Sequence, residues 1–307
     1  MWSVLLNSNT QWVLFSTMIL GIAAGTVGCL SYWKRQSLMS DALAHAALPG
    51  VVLSFLLFRE KHLLILISGA AFSALIGAFF IQWIRSSTRI KEDAAMGMIL
   101  SIFYGLGIML LTVANRTAGN QSGLSGFILG QSASMVQTDV WTMLILALLV
   151  IAITVIGFKE WKIYLFDPQF AKGIGMSLKG MNSLYTIVLV TTIVIGIQAV
   201  GVILIAALLI IPAVSARYWT HSFKKMIIIS AALGGVSGAL GTLISALGSG
   251  WPTGPFIVMV ASSLFIVSLF LGKEKGIVIQ FWQLRIQRKQ VRQQQLISPL
   301  IAKKEGQ

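Results

Sequence analysis

Apolar positions in this chain come in long unbroken runs, divided by short segments that hold most of the charge. Each run is close to the ~20 residues that a helix needs to cross a bilayer. Nine spans are predicted, at 12–33, 38–58, 63–84, 94–114, 138–158, 182–198, 199–217, 226–247 and 254–272. Within 182–217 a tight turn near Gln198–Gly201 separates two spans, or one broken helix lies there. A membrane barrel would alternate apolar and polar positions with period two, and these runs do not. The expected fold is all-α, a polytopic membrane protein of eight to nine spans.

Composition agrees: 56% of residues are hydrophobic and 10% charged, against about 25% charged in a soluble domain. Too few polar groups exist to cover a water-facing surface. The one cysteine, Cys29, excludes an internal disulfide and a cysteine-based metal cluster. No basic region precedes the first run and no small-residue cleavage site follows it, so it is expected to stay as a span rather than be removed.

A net charge of +14 would ordinarily point to nucleic acid. Its placement points elsewhere. With the N-terminus outside and the C-terminus cytoplasmic, all of the 23 Lys and Arg except Arg59, Lys61 and Arg116 fall on the inner side. That is the positive-inside pattern. The charge then reads as topology and contact with anionic lipid, with no nucleic-acid partner.

Four stretches interrupt the runs. Residues 119–135 are rich in Gly and Ser and read as an outer loop with a partly inserted segment. Residues 249–256 form a turn-rich outer loop, and 158–182 the longest inner loop. The basic stretch 281–297 is expected to lie along the inner interface. Two regions follow: a transmembrane domain over 1–275 and a basic tail over 276–307. Gly21, Gly25 and Gly28, and likewise Gly234, Gly238 and Gly241, are spaced for close helix approach. Packing within the chain is expected there, ahead of a subunit interface.

The chemistry concentrates in SDALAHAALPG, residues 40–50. Asp41 and His45 stand four apart, on one helix face. A charge inside the membrane costs at least about 2.5–3.5 kcal/mol and usually faces a cavity, a partner or an ion. In the plain structural alternative, Asp41 caps the helix at the inner interface and His45 bonds a neighbour. In the functional one, an oxygen and a nitrogen ligand suit a divalent first-row metal such as Mn²⁺ or Zn²⁺. Two ligands are few, and a two-fold dimer would supply four. Loose binding of this kind suits a conduit.

Elsewhere the signals are weaker. His62 and His221 adjoin basic residues at span ends and read as interfacial. Asp139 caps the fifth span or lines an entrance, and Glu92 and Asp93 suit a helix N-terminus. Pro49 and Pro212 are expected to kink their helices. The chain has no G-x-x-x-x-G-K-[ST] phosphate loop, no H-E-x-x-H and no serine nucleophile motif. It is therefore not expected to be an enzyme.

Four blocks in order carry a resemblance: SDALAHAALPGVVLSF (40–55), EDAAMGMILS (92–101), FDPQFAKGIGM (166–176) and VGVILIAALLIIPAVSAR (200–217). Over roughly residues 10–272 the chain resembles the permeases of metal-ion ABC importers, the manganese/zinc/iron group called ABC-3. The resemblance implies a multi-pass subunit in a bacterial plasma membrane that carries Mn²⁺ or Zn²⁺ transiently. It also implies three partners: a cytoplasmic ABC ATPase that hydrolyses ATP, an extracytoplasmic metal-binding lipoprotein, and a second permease, either a copy or a paralogue. Asp41 and His45 take the place of the family's pathway residues. Asp167 to Gly175 would form a coupling helix against the ATPase. Phe166, Asp167, Pro168, Phe170, Ala171, Gly173, Ile174 and Gly175 belong to that loop, with Phe166, Phe170 and Ile174 as its anchors. An ATP-independent channel or carrier, relaying ions or protons through Asp41 and His45, is the competing expectation.

Overall fold

In a bilayer the backbone must satisfy its own polar groups, so each long apolar run folds as one helix. The computed structural model describes residues 8–58, 63–117, 137–248 and 251–280, together with Gly130. Among the described residues the helices in order are α1 (Ser8–Trp33), α2 (Ser37–Phe58), α3 (Leu63–Ser87), α4 (Glu92–Thr117) and α5 (Gln137–Ile156). Two short ones follow, α6 (Phe158–Phe166) and α7 (Pro168–Gly173). The chain continues as α8 (Leu178–Val200), α9 (Val202–Trp219), α10 (Phe223–Ala246) and α11 (Thr253–Leu271). All but α6 and α7 are long and apolar enough to span a membrane, nine in all. No strand occurs among the described residues.

The 182–217 region resolves into two spans. Gly201, with φ of +98°, ends α8 and starts α9. A Cβ on Gly196 would lie 2.1 Å from the Ile205 side chain. Nine residues of straight helix would hold these positions about 13 Å apart, so the chain folds back at Gly201.

The centre of the bundle is α1 against α10. A Cβ on Gly21 would sit 2.1 Å from the Gly234 carbonyl oxygen, and one on Gly238 2.3 Å from that of Thr17. Backbones meet here within the chain, and Ser230 Oγ donates to the Gly25 carbonyl at 2.7 Å. A Gly21→Leu variant should therefore lose at least about 1–3 kcal/mol through overpacking, read as a lower melting temperature in detergent. Gly97→Ala is the control, because a Cβ there meets nothing within 4 Å. Equal melting of both variants would count against this packing.

Side-chain contacts sort the chain ends onto two faces of the bundle. On one, Phe166 meets Trp33, Phe158 stacks on Phe223, Arg85 pairs with Glu92, and His221 pairs with Glu274. On the other, Trp12 meets Trp141 and Gln198 donates to Asp139. The first face gathers the basic ends of the helices. His62, the loop at 119–135 apart from Gly130, and the basic tail at 281–297 lie outside the described residues.

Candidate metal site and its linkage

Helix α2 begins at Ser37, so Asp41 stands one full turn inside it. A capping side chain accepts from the second or third helical N–H, and the capping position before Ser37 is Gln36. Asp41 is past it. Its carboxylate instead meets His45: Oδ1 and Nε2 are 3.5 Å apart, with the Asp41 side chain 37% exposed and that of His45 13%. His45 Nδ1 is buried with no hydrogen-bond partner. The Tyr104 ring, on α4, lies edge-to-face with the imidazole, with centroids 4.9 Å apart and planes at 77°. Tyr104 was not among the residues singled out above. As a lone tyrosine in an apolar run it carries no spacing signal, and only the pairing of α2 with α4 brings it in.

Pro49 is buried in α2, which runs on unbroken around it. Proline has no N–H, so it cannot satisfy the carbonyl four residues earlier, that of His45. The same holds for Pro212 and Leu208 within α9. Helix α2 is held in place by α3: Ser73 Oγ donates to the Ala46 carbonyl at 2.7 Å, and Gly50 leaves room for the Gly69 backbone.

The pair's separation has a chemical meaning. Metal–nitrogen and metal–oxygen bonds run about 2.0–2.2 Å. Two ligand atoms 3.5 Å apart then subtend about 110° at an ion between them, near the tetrahedral angle and within reach of an octahedral one. Among the described residues no three His, Cys, Asp or Glu cluster together. Asp41 and His45 thus stand as a pair of candidate ligand side chains.

The loop after α5 folds as two short helices. Trp161 anchors α6 in the core. Asp167 Oδ1 accepts from the Phe170 N–H at 2.9 Å and caps α7, whose first residue is Pro168. Past Gly173, the Met176 N–H reaches back to the Ala171 carbonyl at 2.9 Å, and Gly175 takes a φ of +83°, which favours glycine. Ala171 is fully buried, whereas Phe170 and Ile174 are 54% and 52% exposed. Phe166 is nearly as exposed, at 47%, but it also makes aromatic contacts within the chain. Its ring packs on Trp33 at 4.7 Å and Phe223 at 5.5 Å, so it ties α6 to α1 and α10.

A second polar cluster, missed in the sequence, joins this loop to the start of α2. Lys34, in the α1–α2 corner, donates to Asn182 Oδ1 on α8 and lies 3.8 Å above the Tyr185 ring. Tyr164 of α6 donates to the same Asn182 oxygen at 3.3 Å. Gln36 bonds Glu92, which pairs with Arg85 at 3.1 Å. In the sequence, Lys34 is one basic residue among many at a span end.

Burial lowers the Lys34 ammonium to about 7, partly opposed by the charge of Glu92. An unfolded lysine titrates near 10.4. Between these values the unfolded chain holds more protons than the folded one, so this group makes stability rise with pH from about 7 upward. The melting temperature should climb more between pH 7 and 9 in the wild type than in Lys34→Met. Parallel curves would remove Lys34 as the cause.

Comparison with known proteins gives a consistent picture. Residues 7–272 match the family described as "ABC 3 transport family". The manganese transport system membrane protein MntC of Bacillus subtilis is 43% identical over 97% of this chain and 69% of its own length. The zinc transport system membrane protein TroC of Treponema pallidum is 40% identical over 90% of this chain and 93% of its own. Among solved structures, a chain of PsaBC from Streptococcus pneumoniae in complex with Fab is 32% identical, with a TM-score of 0.79 over 92% of this chain and 97% of that one.

Proposed function

The chain belongs to the ABC 3 transport family, a multi-pass plasma-membrane permease of a metal ABC system, and from that premise we propose that it conducts Mn²⁺ or Zn²⁺ in an ATP-driven importer. Relatives named for manganese and for zinc transport support either cargo. The observation that carries the reading is the Asp41–His45 pair, whose 3.5 Å spacing fits two bonds to one ion. Neither residue belongs to a closed cage, so the ion is held briefly and released.

The remaining ligands come from a second permease. Helix α4 is the least covered span, with 22% of its apolar window buried. Its exposed Ala94, Gly97, Ser101 and Gly105 are three or four apart and share one face. Such a face lets another helix approach closely. It lies on the helix that carries Tyr104, so a partner packed there closes the route beside Asp41 and His45. The partner is a copy of this chain or a paralogue.

In this mechanism a metal-binding lipoprotein delivers the ion at the outer face. The pair on α2 receives it, with Asp41 giving charge and His45 a neutral nitrogen. A cytoplasmic ATPase seats on α7 through Phe170 and Ile174. Its movement passes through Phe166 to Trp33, and through Tyr164 and Asn182 to Lys34. Both routes end at the α1–α2 corner, a few residues before Asp41. Uptake of Mn²⁺ and Zn²⁺ by vesicles holding the reconstituted complex tests this. Uptake that requires ATP supports the reading, and full uptake without the ATPase would instead make the chain a channel or carrier.

A further inference from the structure

A cleft of about 670 Å³ opens between the end of α3 and the start of α8, on the basic face of the bundle. Its polar wall includes Arg85, Lys179, Asn182 and Ser183, and its apolar wall Phe79 and Trp83. Among the described residues no carboxylate lines it. Arg85 turns one guanidinium nitrogen to Glu92, which leaves further N–H donors of its fork. Lys179 is exposed and in no ion pair among the described residues. Asn182 is oriented by its neighbours. Lys34 and Tyr164 both give hydrogens to Oδ1, and an ammonium can only donate. The amide is therefore fixed, and its NH₂ donates to nothing among the described residues. The opposite wall is greasy: Phe79 and Trp83 are 63% and 55% exposed on the outside of α3, where an aromatic belt meets headgroups.

Donors on one side and aromatic surface on the other describe an amphipathic anion. We propose that this cleft holds the phosphate of an anionic glycerophospholipid of the inner leaflet, with its acyl chains along Phe79 and Trp83. The site touches α8 at Asn182, so an occupied cleft braces the same corner that links the α6–α7 loop to α2. Lys34 stands behind Asn182, where burial lowers its ammonium, with the charge of Glu92 opposing and that of Arg85 adding to the shift. The proposal rests on the basic face being the inner one, but not on the metal site.

Lipid retention by the purified full chain in detergent, read by native mass spectrometry, tests it. Phosphatidylglycerol and phosphatidylcholine are offered in equal amount, with inorganic phosphate as a separate arm. The wild type should keep phosphatidylglycerol in preference. Lys179→Glu should weaken that retention about tenfold or more, as expected for reversing one charge near an anionic headgroup. Lys224→Glu, exposed on the same face at α10, should not. Equal loss in both variants would reduce the effect to a diffuse basic belt and overturn the site. Equal retention of phosphatidylcholine, or displacement of the lipid by millimolar inorganic phosphate, would also overturn it. Because the measurement involves no transport, a failed metal site would leave its outcome untouched.

Discussion

Mn²⁺ and Zn²⁺ uptake falls to background in Asp41→Asn and His45→Ala, while both variants insert, assemble with the ATPase and melt no lower than the wild type. That combination is the expected result. Losing an outer-shell partner of a metal ligand already costs roughly 10–100-fold, so losing one of the two side-chain ligands that each chain offers should cost at least about 100-fold. Stability should move the other way. A carboxylate at the centre of a membrane helix is unfavourable by about 2.5–3.5 kcal/mol, and Asp41, one turn inside α2, bears part of that cost with one partner among the described residues, at 3.5 Å. Removing it relieves that cost. If the pair were structural, both substitutions would lower the melting temperature and leave the transport of surviving protein intact. Retained uptake in either variant would end the assignment. Uptake assays in vesicles together with melting curves separate the two cases.

Much of this arrangement was legible in the chain because hydrophobic run length is a direct reading of bilayer thickness. The nine spans appear within a few residues of their expected places. The glycine spacings in α1 and α10 foretold a backbone contact because nothing else tolerates carbonyl oxygens so near. The pair Asp41 and His45 was visible because helical spacing alone puts i and i+4 together. Tyr104 was not, nor was the cluster of Lys34, Asn182, Tyr164 and Glu92. Those residues come from the α1–α2 corner, α4, α6 and α8, and no periodicity within one segment reports which helices will be neighbours. The capping alternative for Asp41 failed for a local reason: the helix starts at Ser37, earlier than a cap at Asp41 would require.

The α6–α7 loop should behave as two separable parts. Phe170→Asp and Ile174→Asp place charge on side chains that are about half exposed, so the isolated chain should melt as the wild type does. Binding of the ATPase should weaken by about 30-fold or more, the scale of losing one interface anchor of 2 kcal/mol, and ATP-driven uptake should fall with it. Phe166→Ala should do the reverse. About half of its ring surface is covered by packing against Trp33 and Phe223, so its loss should lower the melting temperature more than it weakens ATPase affinity. Uptake should still drop, because the ATPase would then push on a lever no longer seated against α1. Ala171 is a poor probe of docking, since it is fully buried and a large residue there would disturb α7 itself. Pull-down of the ATPase by each variant, set beside its melting curve, distinguishes the two roles. Normal ATPase binding by Phe170→Asp and Ile174→Asp together would move the docking surface off α7.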